Sequence, residues 1–178
     1  MRLFFLVVLT WLLSSCHFHP QGSLRLAPPL HRMYLQTSDP YGQLARNLRQ
    51  SLKMSNVVLV DSPASADTIL SIIRDDTSQT MLSVSGTQLI RQYQLAVNVE
   101  FIIENAKGQT IVAPQSLSES RVITIQSSLI LGSSNEANLY YQQMRRTLAY
   151  AIMNRISSKD ITRMIDAAFS THTKAKHS

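Results

Sequence analysis

The residue best suited to covalent chemistry in this sequence is Cys16, the single cysteine among 178 residues. It closely follows an apolar stretch, residues 3–13, in which only Thr10 is polar. One thiol cannot close a disulfide within the chain, so in an oxidising compartment it would remain reactive. As an attachment point for acyl chains, the same thiol would contribute to membrane anchoring, at about 0.8 kcal/mol for each buried CH₂.

The segment before Cys16 has the features of an export signal. Arg2 supplies a positive charge, and the apolar stretch is shorter than the roughly 17–25 residues that cross a bilayer core. The string LSSC at 13–16 resembles the bacterial lipobox. The resemblance implies that residues 1–15 are a signal peptide and that Cys16 becomes a lipidated mature N-terminus. The alternative is an ordinary exported protein with an unmodified cysteine.

The residues after the cysteine indicate the membrane to which the protein is sorted rather than a catalytic or metal site. His17 stands where lipoproteins retained in the inner membrane typically carry Asp, so the expected location is the outer membrane, lipid-anchored on its periplasmic side. His17 and His19 are two ligands, whereas zinc normally takes three or four from the protein. Residues 16–30, rich in Pro and Gly, are predicted to form an extended tether. No metal site is expected here.

Paired acids elsewhere suggest acid–base chemistry, but the groups that would complete it are absent. Asp75-Asp76 and the pair Glu100 and Glu104 have no core histidine beside them, and they are interpreted as a solvated turn and a strand surface. The sequence contains no G-x-S-x-G or S-x-x-K nucleophile motif and no glycine-rich phosphate loop. The chain is predicted not to be an enzyme and to need no cofactor beyond the covalent lipid on Cys16.

The charge distribution argues against nucleic acid as a partner. The formal net charge is +6, but the 17 Lys and Arg residues are scattered and form no basic run with interleaved aromatics. Only 16% of the residues are charged, against about 25% in an average soluble domain. A polar, sparsely charged surface is typical of a domain that a partner largely covers.

Periodicity predicts one α+β domain over residues 31–170. Asp39-Pro40 indicates a helix start, and Asn56 a helix stop, around an apolar face comprising Tyr41, Leu44, Leu48 and Leu52. Strict alternation over residues 89–103 predicts a long, half-buried antiparallel strand. Shorter strands are predicted at 32–37, 57–60, 68–74, 80–85 and 115–125.

The C-terminal third is predicted to be helical, with capping boxes at Ser133/Glu136 and Ser157/Asp160, and residues 171–178 to be a disordered tail. The predicted fold is a two-layer sandwich. An antiparallel-to-mixed sheet of about four long strands carries two main helices on one face.

Arg91 is the one cation predicted to lie on the apolar face of the long strand. One interpretation is an arginine whose stem packs on apolar surface while its head stays in water at the sheet edge. The other is a cation placed beside apolar surface to bind an amphiphilic anion such as a phosphorylated lipid.

Three segments, in order, resemble the LPS-assembly lipoprotein LptE family. They are CHFHPQG at 16–22 directly behind the lipobox, SDPYGQL at 38–44, and RQYQL at 91–95. The order of predicted elements is similar over about residues 16–160. In the first segment, His17 and Pro20 depart from the family pattern.

The resemblance implies a role in LPS export, as a plug within the LptD β-barrel that assists barrel assembly and binds LPS. A barrel lumen is polar, which fits a sparsely charged surface. Family members often carry basic residues at 84–86 and 131–134, where this chain has none. Arg91, Arg74 and Lys107 are therefore the candidate LPS-binding residues. The alternatives are a pilot or scaffold of another envelope complex and an enzyme acting on envelope lipids.

Overall fold

The computed structural model describes residues 25–86, 90–126 and 130–175. The predicted signal peptide, Cys16, His17 and His19 lie outside these residues. The last part of the predicted tether is described, and from Pro28 onward it is helical rather than extended. A 3₁₀ helix spans Pro28–His31, and Leu26, Ala27 and Leu30 are buried in the core. The domain therefore begins before residue 31, because these apolar side chains bury against it.

A mixed sheet of five strands forms one layer, in the order β2-β1-β3-β4-β5. Its strands are β1 (Arg32–Thr37), β2 (Val58–Leu59), β3 (Thr68–Val84), β4 (Ile90–Asn105) and β5 (Thr110–Gln126). β1 runs parallel to both β2 and β3, whereas β3, β4 and β5 form an antiparallel meander. The α+β class and the mixed sheet are confirmed.

Three helices form the second layer: α1 (Gln43–Met54), α2 (Ile130–Ile156) and α3 (Lys159–Ala175). α1 packs on β1 and β2 and against α2, while α2 and α3 cover β4 and β5. The sequence prediction of two main helices matches α1 and α2. α3 extends through Ala175, five residues into the predicted disordered tail. The stretch contains no Gly or Pro, so each added residue can continue the helical hydrogen bonding.

The start of α1 differs from the prediction. The helix begins at Gln43, and residues 40–42 form a turn in which the amide of Gly42 donates to the carbonyl of Asp39. Arg49 donates to the carbonyl of Pro40 and ties this turn to the helix. Tyr41, predicted to be on the apolar face, therefore lies outside the helix and is 83% exposed.

The end of α1 is as predicted. Asn56 has φ 60°, in the left-handed region. The amide of Asn56 donates to Lys53 O at 3.1 Å, and that of Val57 donates to Leu52 O at 3.0 Å. This pair of bonds is the Schellman motif, which satisfies the last carbonyls of the helix.

The core lies between the two layers. Along β4, alternate side chains, Leu95, Val97, Val99, Phe101 and Ile103, are buried. They pack in one cluster with Leu44, Leu48 and Leu52 of α1 and with Leu148, Ile152 and Ile156 of α2. Since the side chains of a strand alternate between faces, the sheet has one face covered by helices and one open face.

The two predicted strands at 68–74 and 80–85 are a single strand, β3. It pairs with β4 from Thr68 to Val84, with register shifts at Ile72/Arg74 and Met81/Ser83. Residues 76–84 are exposed on both faces. The ladder continues through this polar stretch because backbone hydrogen bonds to β4 do not depend on the side chains.

Candidate functional site

The ends of β3, β4 and β5 that lie away from the core carry exposed apolar side chains on both faces of the sheet. We define the distal patch as Met81, Leu82, Val84, Ile90 and Val122, each of which is at least 42% exposed. Val84 and Met81 are on the helix-side face, while Val122 and Ile90 are on the open face, according to their strand partners. Because exposed apolar side chains grouped at one end of a sheet are common in interaction surfaces, the distal patch is a candidate for one.

Arg91 lies within the distal patch. Its Cα partners are Val84 on β3 and Ile125 on β5, so the three side chains leave the same face of the sheet. Arg91 is exposed and forms no ion pair with any described residue. The sequence prediction that Arg91 shares a face with Tyr93 and Leu95 is confirmed. The arrangement is an uncompensated cation flanked by apolar side chains.

The other two predicted LPS-binding cations lie far from Arg91. Arg74 is on the open face, where its guanidinium is 3.6 Å from Asp76 and 3.7 Å from Glu100. Lys107 is in the turn between β4 and β5, at the opposite end of the sheet. At about 3.3 Å per residue, β4 separates Arg91 from Lys107 by roughly 50 Å. The three residues do not form one site.

The open face of the sheet is covered with small hydroxyl and amide side chains. Around the middle and distal parts of β3, β4 and β5 it presents Ser78, Thr80, Gln94, Asn98, Ser116, Ser118, Ser120 and Thr124, all exposed. The charged side chains Arg74, Asp76 and Glu100 sit together at one level and neutralise one another in part. Apart from Ile90 and Val122, the surface formed by the described residues is polar and almost uncharged.

A half-buried ion pair connects the sheet to α2. Nε of Arg145 is 2.9 and 3.0 Å from the two carboxylate oxygens of Asp75, and Nη2 is 2.9 Å from Oδ1. Both side chains are 22% exposed. Asp75 was expected in a solvated turn. It lies instead within β3, where alternation directs Asp75 toward the helices and Asp76 toward the open face. The interpretation of these two residues as a solvated turn is therefore wrong.

A polar recess lies next to this ion pair, between the first turn of α1 and the N-terminal half of α2. We call it the α1–α2 groove; its volume is about 390 Å³. Its lining is Gln43, Arg46, Thr77, Asn138, Tyr141, Gln142 and Arg145. Sequence reasoning missed this site because its residues come from three separate elements, and only Gln43 belongs to a segment that the sequence singled out, SDPYGQL at 38–44.

Tyr141 is held in place at the groove. Its hydroxyl donates to Ser78 O at 3.1 Å. Desolvation by burial raises the pKa of Tyr141 above its ordinary value of 10.0, and the positive charge of Arg145 opposes the rise. The phenol is therefore neutral and fixed at physiological pH.

Neither a metal centre nor a membrane-spanning helix occurs in the part of the chain that the structure describes. Among those residues, no group of three or more His, Cys, Asp or Glu could hold a metal ion. No helix there combines the length and apolarity needed to cross a bilayer.

Comparisons with known proteins identify the family. The model of the family described as LptE, Lipopolysaccharide-assembly, matches residues 30–156. The LPS-assembly lipoprotein LptE of Yersinia enterocolitica is 29% identical over 149 residues, covering 80% of this chain and 69% of that protein.

Solved structures agree with the fold. The rare lipoprotein B from Shewanella oneidensis has a TM-score of 0.57 at 25% identity, covering 82% of this chain and 98% of that one. The lipoprotein B from Nitrosomonas europaea has a TM-score of 0.64 at 17% identity, covering 79% and 90%. Because the family model matches well over half of the sequence, the chain belongs to the lipopolysaccharide-assembly LptE family.

Proposed function

We propose that this chain is an outer-membrane lipoprotein, anchored through Cys16, that plugs the lumen of an LptD β-barrel, assists its assembly and helps deliver LPS to the outer leaflet. The observation that carries the proposal is family membership across residues 30–156. The role is structural and binding rather than catalytic, and the chain acts without a metal or a diffusible cofactor.

The open face of the sheet supports the position within a barrel. A barrel lumen is polar and hydrated. A plug needs a surface that packs against such walls without burying unpaired charge, since uncompensated buried charge is costly. The hydroxyls and amides of the open face meet this requirement, because each can donate or accept a hydrogen bond.

The distal patch supports contact with LPS. LPS is an amphiphile with phosphates beside acyl chains. Arg91 can bind a phosphate through its planar guanidinium, while Val84 and Ile125 on the same face contact an acyl chain. Arg74 is a weaker candidate because Asp76 and Glu100 already partner it. Lys107 lies at the other end of the sheet, so any contact with LPS there would be a separate one.

Depletion of the chain in its native host tests the function. Newly made LPS should fail to reach the cell surface, as measured by pulse-labelling of LPS and access of an outer-leaflet probe. Re-expression of the wild-type chain should restore delivery. Normal surface delivery after complete depletion would contradict the proposal, and it is the result expected for a pilot or scaffold of another envelope complex.

The anchor has its own test. Cys16→Ala should abolish labelling by a palmitate analogue, whereas His19→Ala, three residues on and outside the lipobox, should keep it. The fold should not change, because Cys16 precedes every buried residue in the part of the chain that the structure describes, of which Leu26 is the first. Acyl labelling of the Cys16→Ala chain would contradict the assignment of Cys16 as the lipidated residue.

A further inference from the structure

We propose that the α1–α2 groove binds a phosphorylated saccharide, at a site separate from the distal patch. The identification of that saccharide as the sugar part of LPS rests on the proposed function. Thr77 in the groove pairs with Val97, six residues along β4 from Arg91. At about 3.3 Å per residue, the two sites are roughly 20 Å apart.

The lining of the groove is matched to sugar hydroxyls. It contains three carboxamides, Gln43, Asn138 and Gln142, and the hydroxyl of Thr77. A carboxamide carries donors and an acceptor side by side, and a sugar hydroxyl both donates and accepts. The side chains of Thr77, Asn138 and Gln142 form no hydrogen bond with other described residues. Their donors and acceptors are therefore open to a ligand.

The charge of the groove calls for an anionic group on that ligand. Arg46 is exposed, and its Nη2 donates to the neutral Gln43 Oε1 at 2.8 Å. No described carboxylate forms an ion pair with Arg46. Guanidinium binds phosphate through parallel N–H donors. Arg46 is therefore the phosphate-binding residue of the proposed site.

Arg145 has a different part in the site. Asp75 neutralises its charge and occupies Nε and one hydrogen of Nη2. Guanidinium has five N–H donors, so the remaining donors can bind neutral hydroxyls. The ion pair and the hydrogen bond from Tyr141 to Ser78 fix both side chains before a ligand arrives. Such preorganisation reduces the entropy lost on binding.

The size and polarity of the groove agree with this ligand class. Pockets for small molecules are commonly about 300–1,000 Å³ and mostly apolar. The groove, at about 390 Å³, is at the small end of that range. Its lining is polar, which disfavours an acyl chain and favours a hydrophilic sugar unit.

Calorimetric titration of the purified chain with deacylated LPS, the phosphorylated oligosaccharide without acyl chains, tests the proposal. We expect Arg46→Ala to weaken binding about tenfold or more, since it removes a charge-assisted contact. Lys53→Ala, which removes one exposed charge from the other end of α1, should leave the affinity within about twofold. Asn138→Ala should weaken binding, whereas Asn154→Ala, an exposed asparagine elsewhere on α2, should not.

Three results would overturn the assignment. The first is unchanged affinity in both Arg46→Ala and Asn138→Ala. The second is displacement of the oligosaccharide by an equal concentration of inorganic phosphate, which would reveal a simple anion site. The third is loss of a β-barrel partner from these variants with oligosaccharide affinity intact, which would make the groove a protein contact.

The design separates this inference from the proposed function. If the titrations fail while depletion still blocks surface delivery of LPS, the groove assignment is wrong and the function stands. If the titrations succeed while depletion leaves delivery normal, the groove binds saccharide and the export role is wrong.

Discussion

The ion pair between Asp75 and Arg145 should be an energetically coupled link between β3 and α2. Its three N–O distances are 2.9, 3.0 and 2.9 Å, and both side chains are 22% exposed. Breaking a fully buried pair costs about 3–5 kcal/mol, whereas an exposed pair contributes about 0.2–1 kcal/mol. At this exposure we expect Arg145→Met or Asp75→Leu alone to lower the free energy of unfolding by about 2 kcal/mol.

The double variant should recover most of this loss. Asp75→Leu with Arg145→Met removes both charges and leaves apolar side chains facing each other. Such replacements are commonly neutral or stabilising. We therefore expect the double variant to be within about 1 kcal/mol of wild type, which with two single losses of about 2 kcal/mol gives a coupling energy of about 3 kcal/mol. Urea unfolding followed by far-UV circular dichroism gives these values.

A second ion pair in the same chain is the control. Arg163 and Asp160 on α3 are 3.3 Å apart, but their side chains are 77% and 64% exposed. The same cycle there should give a coupling energy of no more than about 0.5 kcal/mol. If the coupling energy for Asp75 and Arg145 were as small as that of the control, the link between β3 and α2 would have to be explained by apolar packing alone.

Three further predictions test other parts of the structure. Asn56→Val should lower the free energy of unfolding by about 1–2 kcal/mol, because a branched side chain clashes with the backbone at φ 60°. Asn56→Gly should not lower it. Equal urea midpoints for the two variants would refute the role of Asn56 as the cap of α1. Tyr141→Phe should lose about 1 kcal/mol at neutral pH by removing the bond to Ser78 O. Because the pKa of Tyr141 is raised in the folded state, the stability that this group contributes is fully present below pH 10 and is lost as the pH rises through the folded pKa. The Phe variant should lack that decline in stability at high pH. A decline equal to that of wild type would contradict the assignment. Arg91→Ala should weaken binding of intact LPS in a pull-down about tenfold, Arg91→Lys less, and Lys53→Ala not at all; an unchanged pull-down for Arg91→Ala would remove the distal patch as the LPS contact.

Local signals in the sequence predicted the parts of the fold that depend on neighbouring residues. The apolar spacing of Leu44, Leu48 and Leu52 predicted the buried face of α1, and Asn56 predicted its end. The alternation of β4 predicted which face packs on the helices. These features follow from helix and strand periodicity, which is visible in a single segment.

Features that depend on distant contacts were not predictable in the same way. The continuity of β3 through its polar middle is due to pairing with β4, not to its own side chains. Asp75 and Arg145 are 70 residues apart in sequence, so their contact leaves no local pattern. The groove likewise requires the packing of α1 beside α2. One relevant signal was present in the sequence. The long strand predicted at 89–103 lies between Arg91 and Lys107, so its length already indicates that these two residues cannot belong to one binding site.

The most direct test of the central claim is the composition of the complex that this chain forms in its native membrane. A tagged chain, expressed at native level and purified after gentle solubilisation, should carry a large integral β-barrel in equimolar amount. The open face of the tagged chain should be protected from amide exchange in that complex but not in the isolated chain. Recovery of the chain as a free monomer, with the same exchange at the open face in both preparations, would contradict the claim.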